Sequence, residues 1–405
     1  MAEHIKAGCA LHGAIRTVLA IGGLVPIVHS NTGCAMQGAI ANRAAGTLFV
    51  HDGMEIPTTA VIERHVVFGG ASRLREQIKN TIKVVEGEAY IVLDGCEAEM
   101  VGDDSEAMVK EAVVQQAEKV FSCKTAGFHG SAHKGYESVM VDIIRALPVL
   151  GVQEDPRKTV NVFGILPGTD VFWRGDLEEI ARLFAGIGLH ANVFFGPGGF
   201  DEVKRAPSAA LSLVFSEWGL IPARELKAVY GVPVLEFEAP PIGYDDVEAG
   251  LRTVGQKLKL DSRVIESFLQ KEKERFYGYL ETAADAYYEE QVSRNAAIIA
   301  DEAPGKAIAG FLERHLAAKV VLRDSVAKNV ESSGAGIIIG SAQEAQEARA
   351  LGIPLLGAAY PVNGVIMNKT YMGISGSLRL TEDYIGVIAA HNRVRQAEVI
   401  KKIRE

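Results

Sequence analysis

Few residues in this 405-residue chain could do metal or redox chemistry. It carries four cysteines, and three of them stand in glycine-flanked segments: Gly8-Cys9-Ala-Leu-His-Gly13, His29-Ser-Asn-Thr-Gly-Cys34 and Asp94-Gly-Cys96-Glu-Ala-Glu-Met-Val-Gly-Asp-Asp104. Thiolates at the ends of separate elements, beside glycines, suit an iron–sulfur cluster, whose sulfides need close backbone N–H groups and space that a Cβ would fill. A zinc ribbon matches less well, because its ligands sit two to four residues apart on one knuckle. Here the gaps are 25 residues from Cys9 to Cys34 and 62 from Cys34 to Cys96, with no Cys-x-x-Cys. The spacing alone leaves a second reading equally open, since an isolated cysteine is often just a small apolar residue of the core.

The elements that must position these cysteines can be read from the pattern around them. An apolar strand over 24–28 runs into His29, another over 90–93 runs into Asp94, and a third over 120–127 carries Cys123 and ends on Gly127-Phe-His-Gly-Ser-Ala-His133. Apolar spacing predicts helices over 10–21, 35–45, 72–85, 104–116 and 136–147. Strands alternating with helices give a parallel sheet covered on both faces. Ligands gather at the carboxyl ends of such strands, which places Cys34, Cys96 and the 127–133 loop on one edge. Polar residues 148–158 read as a linker. A second alternating set runs over 160–237, long helices over 245–258 and 262–290, and a third set from 296 to a terminal helix over 375–401. The expected organisation is therefore a cluster-binding α/β domain over 1–150, a second α/β domain over 158–240, bridging helices over 241–292 and a third α/β domain over 293–405. Gly164-x-x-Pro-Gly168 is neither a Gly-x-Gly-x-x-Gly turn nor a lysine-bearing P-loop, so no nucleotide site is expected there.

Composition narrows the classes. Net charge is −9 with basic residues scattered, which argues against a nucleic-acid partner. The apolar run 15–28 contains Arg16, Gly22, Gly23 and Pro26 and is too short to span a bilayer, so no membrane association is expected. Four widely spaced cysteines do not make a disulfide framework, and a reducing cytoplasm is the expected compartment.

The order Cys9, then His29-x-x-x-Gly-Cys34, then Cys96-x-x-x-x-x-Gly-Asp-Asp104 resembles the nitrogenase component 1 family. Val67-Phe-Gly-Gly70, Gly127-Phe-His-Gly-Ser131 with Gly135-Tyr136, Pro240-Pro-Ile-Gly243 and Asn368-Lys-Thr-Tyr-Met-Gly373 extend the resemblance over nearly the whole chain. It implies three doubly wound, Rossmann-like parallel-sheet domains. It also implies that Cys9, Cys34 and Cys96 supply one subunit's half of an interfacial iron–sulfur cluster, either an 8Fe-7S P-cluster or a 4Fe-4S cluster. In that family a serine can stand near Phe128, where this chain has Gly127, so hydroxyl ligation of the cluster is not implied.

The catalytic subunits of the family anchor a large cofactor through a second-domain cysteine and a third-domain histidine. This chain has no cysteine after Cys123, and no histidine in 355–363. Together with Pro240-Pro-Ile-Gly243, that implies a beta-type, non-catalytic subunit working with an alpha-type catalytic partner in an α2β2 heterotetramer and with an ATP-dependent iron protein. Only eight residues precede Cys9, which points away from nitrogen fixation toward shorter nitrogenase-like systems, with methylthio-alkane reductase as the named expectation. A cofactor-assembly scaffold and a homomeric tetrapyrrole reductase are the alternatives. Cys123 is expected in the core. Asp103 and Asp104 are expected as caps on the first turn of the following helix. Asp94 is an open candidate for tuning a cluster, and His12, His29, His129 and His133 are expected near the edge as hydrogen-bonding groups, not ligands.

Overall fold

The computed structural model describes residues 5–45, 56–113, 119–154, 157–289, 295–362 and 366–404. Every strand pairing in it is parallel, so each return along a sheet crosses over through helix, as strand–helix alternation demands. The result is an α/β fold with three parallel sheets, consistent with doubly wound, Rossmann-like domains. Among the described residues no helix is long and apolar enough to cross a membrane.

Two compact units emerge, Met1–Asp170 with His190–Glu236, and Val171–Leu189 with Phe237–Glu405. The first unit opens with α1 (Ala10–Ala20), β1 (Leu24–His29), α2 (Thr32–Ala45), α3 (Glu63–Phe68), α4 (Ala71–Val84), β2 (Ala89–Asp94), α5 (Cys96–Val101), α6 (Ser105–Val113), β3 (Val120–Lys124) and α7 (Ala132–Leu150). Strand order is β1-β2-β3. β1 and β2 are buried along their whole length, which explains their unbroken apolar sequence. On one face Val25, Ile27, Tyr90 and Val92 pack with Leu74 and Ile78 of α4 and Val109 of α6. The end of the helix predicted over 104–116 lies outside the described residues.

α1 and α7 meet with no side chain between them at two points. A Cβ on Gly13 would stand 1.9 Å from the carbonyl oxygen of Ala132, and one on Gly135 would stand 2.0 Å from that of Ala10. Their starts are also laced together: Ala10 N–H donates to the Gly130 carbonyl at 2.9 Å, and Ala132 N–H to that of Gly8 at 2.8 Å. α7 starts four residues before the sequence expectation and runs through Pro148. A proline in the last turn of a helix removes one hydrogen bond close to where the ladder stops anyway.

The second sheet of this unit has the order β5-β4-β6-β7. Its strands are β4 (Thr159–Phe163), β5 (His190–Asn192), β6 (Leu211–Val214) and β7 (Val234–Glu236). The chain leaves through α8 (Trp173–Gly186), which belongs to the second unit, and returns to add α9 (Gly199–Arg205) and α10 (Leu220–Tyr230). Strand order reverses between β4 and β6, where a doubly wound sheet ordinarily opens a ligand crevice. Here backbone closes it: a Cβ on Gly164 would lie 2.6 Å from Ser216 N, Ser216 Oγ donates to the Gly164 carbonyl at 2.7 Å, and Gly164 N–H donates to the Tyr136 hydroxyl at 3.1 Å.

The second unit holds α11 (Tyr244–Lys257), α12 (Ser262–Glu289), β8 (Asn295–Ile299), α13 (Glu302–His315), β9 (Lys319–Asp324), α14 (Val330–Ser333), β10 (Ile337–Gly340), α15 (Ala345–Leu351), β11 (Leu355–Gly357) and α16 (Gly373–Arg404). Its sheet order is β11-β10-β8-β9. The Asn368–Gly373 segment is fastened to α8. Gly175 lets the carbonyls of Asn368 and Lys369 approach, Asp176 accepts from Thr370 Oγ1 at 2.6 Å, and Glu179 accepts from the N–H groups of Ile374 and Ser375 at 3.1 Å each. Arg182 holds Glu179 and reaches Glu272 of α12 at 2.8 Å.

Gly135→Ala is expected to cost about 1–3 kcal/mol, because α1 and α7 must part; a thermal midpoint equal to the parent's would show that they can separate freely. A pH effect follows from Asp176, whose carboxyl is pushed up to about 7 by burial. A raised carboxylate favours folding in its protonated form, so that stabilisation is present below the ordinary Asp range and lost as pH rises through 7. Melting temperature measured from pH 5 to 8 should therefore fall more steeply for the parent than for Asp176→Asn, and parallel curves would refute the linkage.

Candidate functional site

The three glycine-flanked cysteines come out on the carboxyl edge of the first sheet, each at the start of a helix and not in an open loop. Cys9 is the N-cap residue of α1, Cys34 lies in the first turn of α2, and Cys96 is the first residue of α5. All three are half-buried. Free N–H groups and the positive end of the helix dipole favour a thiolate at such positions. The signal for the second start was present but passed over: Asn31 is a capping residue, and its Oδ1 accepts from the Cys34 N–H at 3.0 Å.

Gly127 completes the geometry. Its N–H donates to Cys96 Sγ at 3.1 Å, and a Cβ there would lie 3.2 Å from Cys96 Sγ and 3.4 Å from Cys9 Sγ. Bare backbone thus borders both sulfurs. Glu99 holds this loop in place, accepting from Ala126 N–H at 3.0 Å and pairing with His129 Nε2 at 2.7 Å. Nothing in the sequence beyond its position three residues after Cys96 marks that carboxylate. Among the described residues no three His, Cys, Asp or Glu side chains converge to hold a single metal ion. Soft donors along an edge, an N–H aimed at one sulfur and a wall without Cβ fit one side of an iron–sulfur cluster.

The thiols differ in acidity. Burial would raise Cys9, but the hydrogen bond from the His12 ring at 3.6 Å and its charge bring the thiol down to about 7. Cys34 goes up through burial, with the Glu97 carboxylate adding to the rise. Cys123 is buried in β3, where burial and then Asp142 push it well above the ordinary range, as suits a core thiol.

The acid pair after Gly102 divides, which corrects the sequence expectation. Asp104 caps α6 as anticipated, its Oδ1 accepting from Ala107 N–H at 2.9 Å. Asp103 does not. It accepts from Gly70 N–H at 2.9 Å and meets His29 Nε2 at 3.1 Å, while His29 Nδ1 meets Thr59 Oγ1 at 3.0 Å. The cause is a short helix the sequence reading missed: α5 ends on Gly102 in the left-handed conformation (φ 81°), and that turn carries Asp103 away from α6, to the end of β1. Asp94 is buried, pushed up to about 7 by burial, and its Oδ1 accepts from Ser105 Oγ at 2.5 Å. Of the remaining histidines of this edge, His12 lies against Cys9 and His133 stacks on Trp218 with ring centres 4.9 Å apart.

A profile of nitrogenase component 1 type oxidoreductases matches residues 9–325. The chain belongs to that family. It is 27% identical over 261 residues to the nitrogenase molybdenum-iron protein alpha chain of Methanosarcina barkeri, covering 62% of this chain and 47% of that one. It is 25% identical over 257 residues to the nitrogenase iron-molybdenum cofactor biosynthesis protein NifE of Nostoc sp., covering 62% and 52%. The chain thus spans about half the length of these curated relatives. The solved structure of nitrogenase Cp1 at pH 5 superposes with a TM-score of 0.77 over 96% of this chain and 89% of that one; at 18% identity the likeness is one of fold.

In this component 1 family member exposed apolar side chains occur on two of the cysteine-bearing helices, on α3 and in the Gly127 loop. Met36 of α2, Val67 and Phe68 of α3, Met100 of α5 and Phe128 beside Gly127 are all exposed, Phe68 to 86%. His190 starts β5 and faces Glu202 at 3.4 Å, His315 ends α13 at 3.5 Å from Asp245, and His391 of α16 bonds the Gly352 carbonyl at 2.9 Å.

In the metal-free chain, iodoacetamide at pH 7 should label Cys9 faster than Cys34, and His12→Ala should slow Cys9 by roughly five- to tenfold as its thiolate fraction drops. Peptide mapping of the label checks this, and equal rates at both cysteines would show that His12 does not set the acidity of Cys9.

Proposed function

We propose that this chain is the beta-type, electron-relaying subunit of an ATP-dependent nitrogenase-like reductase, with methylthio-alkane reductase as the named system that suits it best. Cys9, Cys34 and Cys96 ligate an iron–sulfur cluster shared with an alpha-type catalytic partner. The observation that carries the reading is the occurrence of three half-buried thiols on one edge, with exposed apolar side chains on α2, α3, α5 and the Gly127 loop. Three thiolates are one short of the four that a 4Fe-4S cluster takes, and an 8Fe-7S P-cluster takes more, so another polypeptide completes the shell.

When bound, the cluster supplies one-electron chemistry. The chain's own residues do the rest of the work at this edge. The Gly127 N–H offsets negative charge on the Cys96 sulfur. Asn31 fixes the start of α2, and Asp103 ties β1 to the turn at Gly70, so that the sulfurs stay in register. His190 and His391 are engaged with Glu202 and the Gly352 carbonyl, and His315 stands at the end of α13, 3.5 Å from Asp245, which supports a substrate-reducing cofactor in the partner. The proposed assembly is an α2β2 tetramer served by an iron protein in the cytoplasm. A cofactor-assembly scaffold is the second reading, favoured by the likeness to NifE.

Anaerobic copurification with the partner, followed by iron analysis, tests the ligand set. Cys9→Ala, Cys34→Ala and Cys96→Ala should each lose iron and loosen the assembly, while Cys123→Ala keeps its iron; equal iron in all four sinks the assignment. ATP-dependent turnover that vanishes in Cys96→Ala supports the relay, and a fully loaded complex without such turnover favours the scaffold.

A further inference from the structure

Cys9 and His12 occupy the N-cap and N3 positions of α1, the two places from which side chains reach toward one another at a helix start. A thiol and an imidazole stand there, and the ring's Nδ1 lies 3.6 Å from Cys9 Sγ. Its other nitrogen, Nε2, is buried and has no hydrogen-bond partner among the described residues. Two glycines border the ring. A Cβ on Gly8 would lie 3.2 Å from Nδ1, and one on Gly38 of α2 would lie 3.8 Å from Cδ2.

The sense of this hydrogen bond follows from what a ligating sulfur is. A cysteine bound to iron has lost its proton, so the bond to it must run from Nδ1–H, and Nε2 is then the bare acceptor of the neutral ring. The same atom speaks against His12 as a ligand itself. A metal-bound imidazole almost always donates its other N–H to a partner, and Nε2 has none among the described residues. Cys96 is served differently: its donor is the main-chain N–H of Gly127 at 3.1 Å, which no residue but proline would remove. At Cys9 the donor is a side chain, open to replacement without moving the main chain.

We propose that His12 tunes the iron–sulfur cluster through Cys9, its Nδ1–H donating to the ligating sulfur and making one-electron reduction easier. This rests on Cys9 being a ligand, as proposed above. Reduction adds negative charge to the ligating sulfurs, and a donor aimed at one of them stabilises that charge more than the smaller charge of the oxidised state. One electron arrives from the iron protein, the ring keeps its proton, and no bond is made or broken. His12 thus acts through another residue's sulfur and is not itself a ligand.

The test uses the complex purified anaerobically with its partner, its potential read by electron paramagnetic resonance during titration with dithionite. His12→Leu should hold the parent's iron, yet at the potential where the parent is half reduced its ratio of reduced to oxidised cluster should be at least about tenfold lower. His12→Asn, whose side-chain amide keeps an N–H donor, should recover most of that loss, which a merely structural role would not do. A loaded His12→Leu complex with the parent's potential, or His12→Asn no better than His12→Leu, overturns the proposal and leaves the ligand set standing. Cys9→Ala that keeps its full iron overturns the ligand reading, and this proposal with it. Should His12→Leu lose iron, pulsed resonance of the complex grown on isotope-labelled histidine decides: a weak nitrogen coupling that His12→Asn removes is expected. A strong coupling, as from nitrogen bound to iron, or one unchanged in His12→Asn, overturns the proposal.

Discussion

The cysteine edge depends on two helices touching backbone to backbone. Because Gly13 and Gly135 carry no Cβ, the N-termini of α1 and α7 come close enough to exchange hydrogen bonds through Gly8, Ala10, Gly130 and Ala132. Cys9 is the residue just before α1, and the loop with Gly127 is the one just before α7. One contact therefore places a thiol from the N-terminus beside the bare backbone of Gly127, more than a hundred residues later, whose N–H is bonded to Cys96 Sγ. Any side chain at either crossing point would act on this site from a distance.

The other two sulfurs are placed by sheet register. Pairing of His29 with Asp94 and of Asp94 with Lys124 ends the three strands together, so the segments that follow leave the sheet at one level. A helix starts almost at once after β1 and after β2, with the thiol in its first turn. The Asn31, Glu97 and Glu99 side chains then tie these starts to one another and to the Gly127 loop. Rigidity here comes from polar side chains gripping backbone, which is how an edge can stay fixed before a metal group is bound.

Much of this was legible beforehand. The buried strands announced themselves as apolar runs, and strand–helix alternation was enough to imply parallel sheets. Cys34 and Cys96 could be put on one edge because strand ends collect ligands. What was not legible followed from short local geometry. The six-residue α5 is too brief to show a helical period, and without it the separate fates of Asp103 and Asp104 could not be foreseen. Likewise Glu99 acts through contacts that no spacing rule reports. Gly127 was noticed for the hydroxyl it lacks, whereas its importance in the structure lies in the space it leaves and the N–H it offers.

The closed crevice of the second sheet bears on what this scaffold can become. Where β4 and β6 diverge in direction of winding, the main chain of Gly164 lies against that of Ser216, with the Ser216 and Tyr136 hydroxyls bonded to Gly164. Substitution can empty a pocket that side chains plug, but it cannot remove a backbone. Divergent descendants of this chain would thus have to rebuild two loops together before the second sheet could cradle a nucleotide. Innovation at the first sheet's edge needs only new side chains, and that is where this architecture leaves its chemistry open to change.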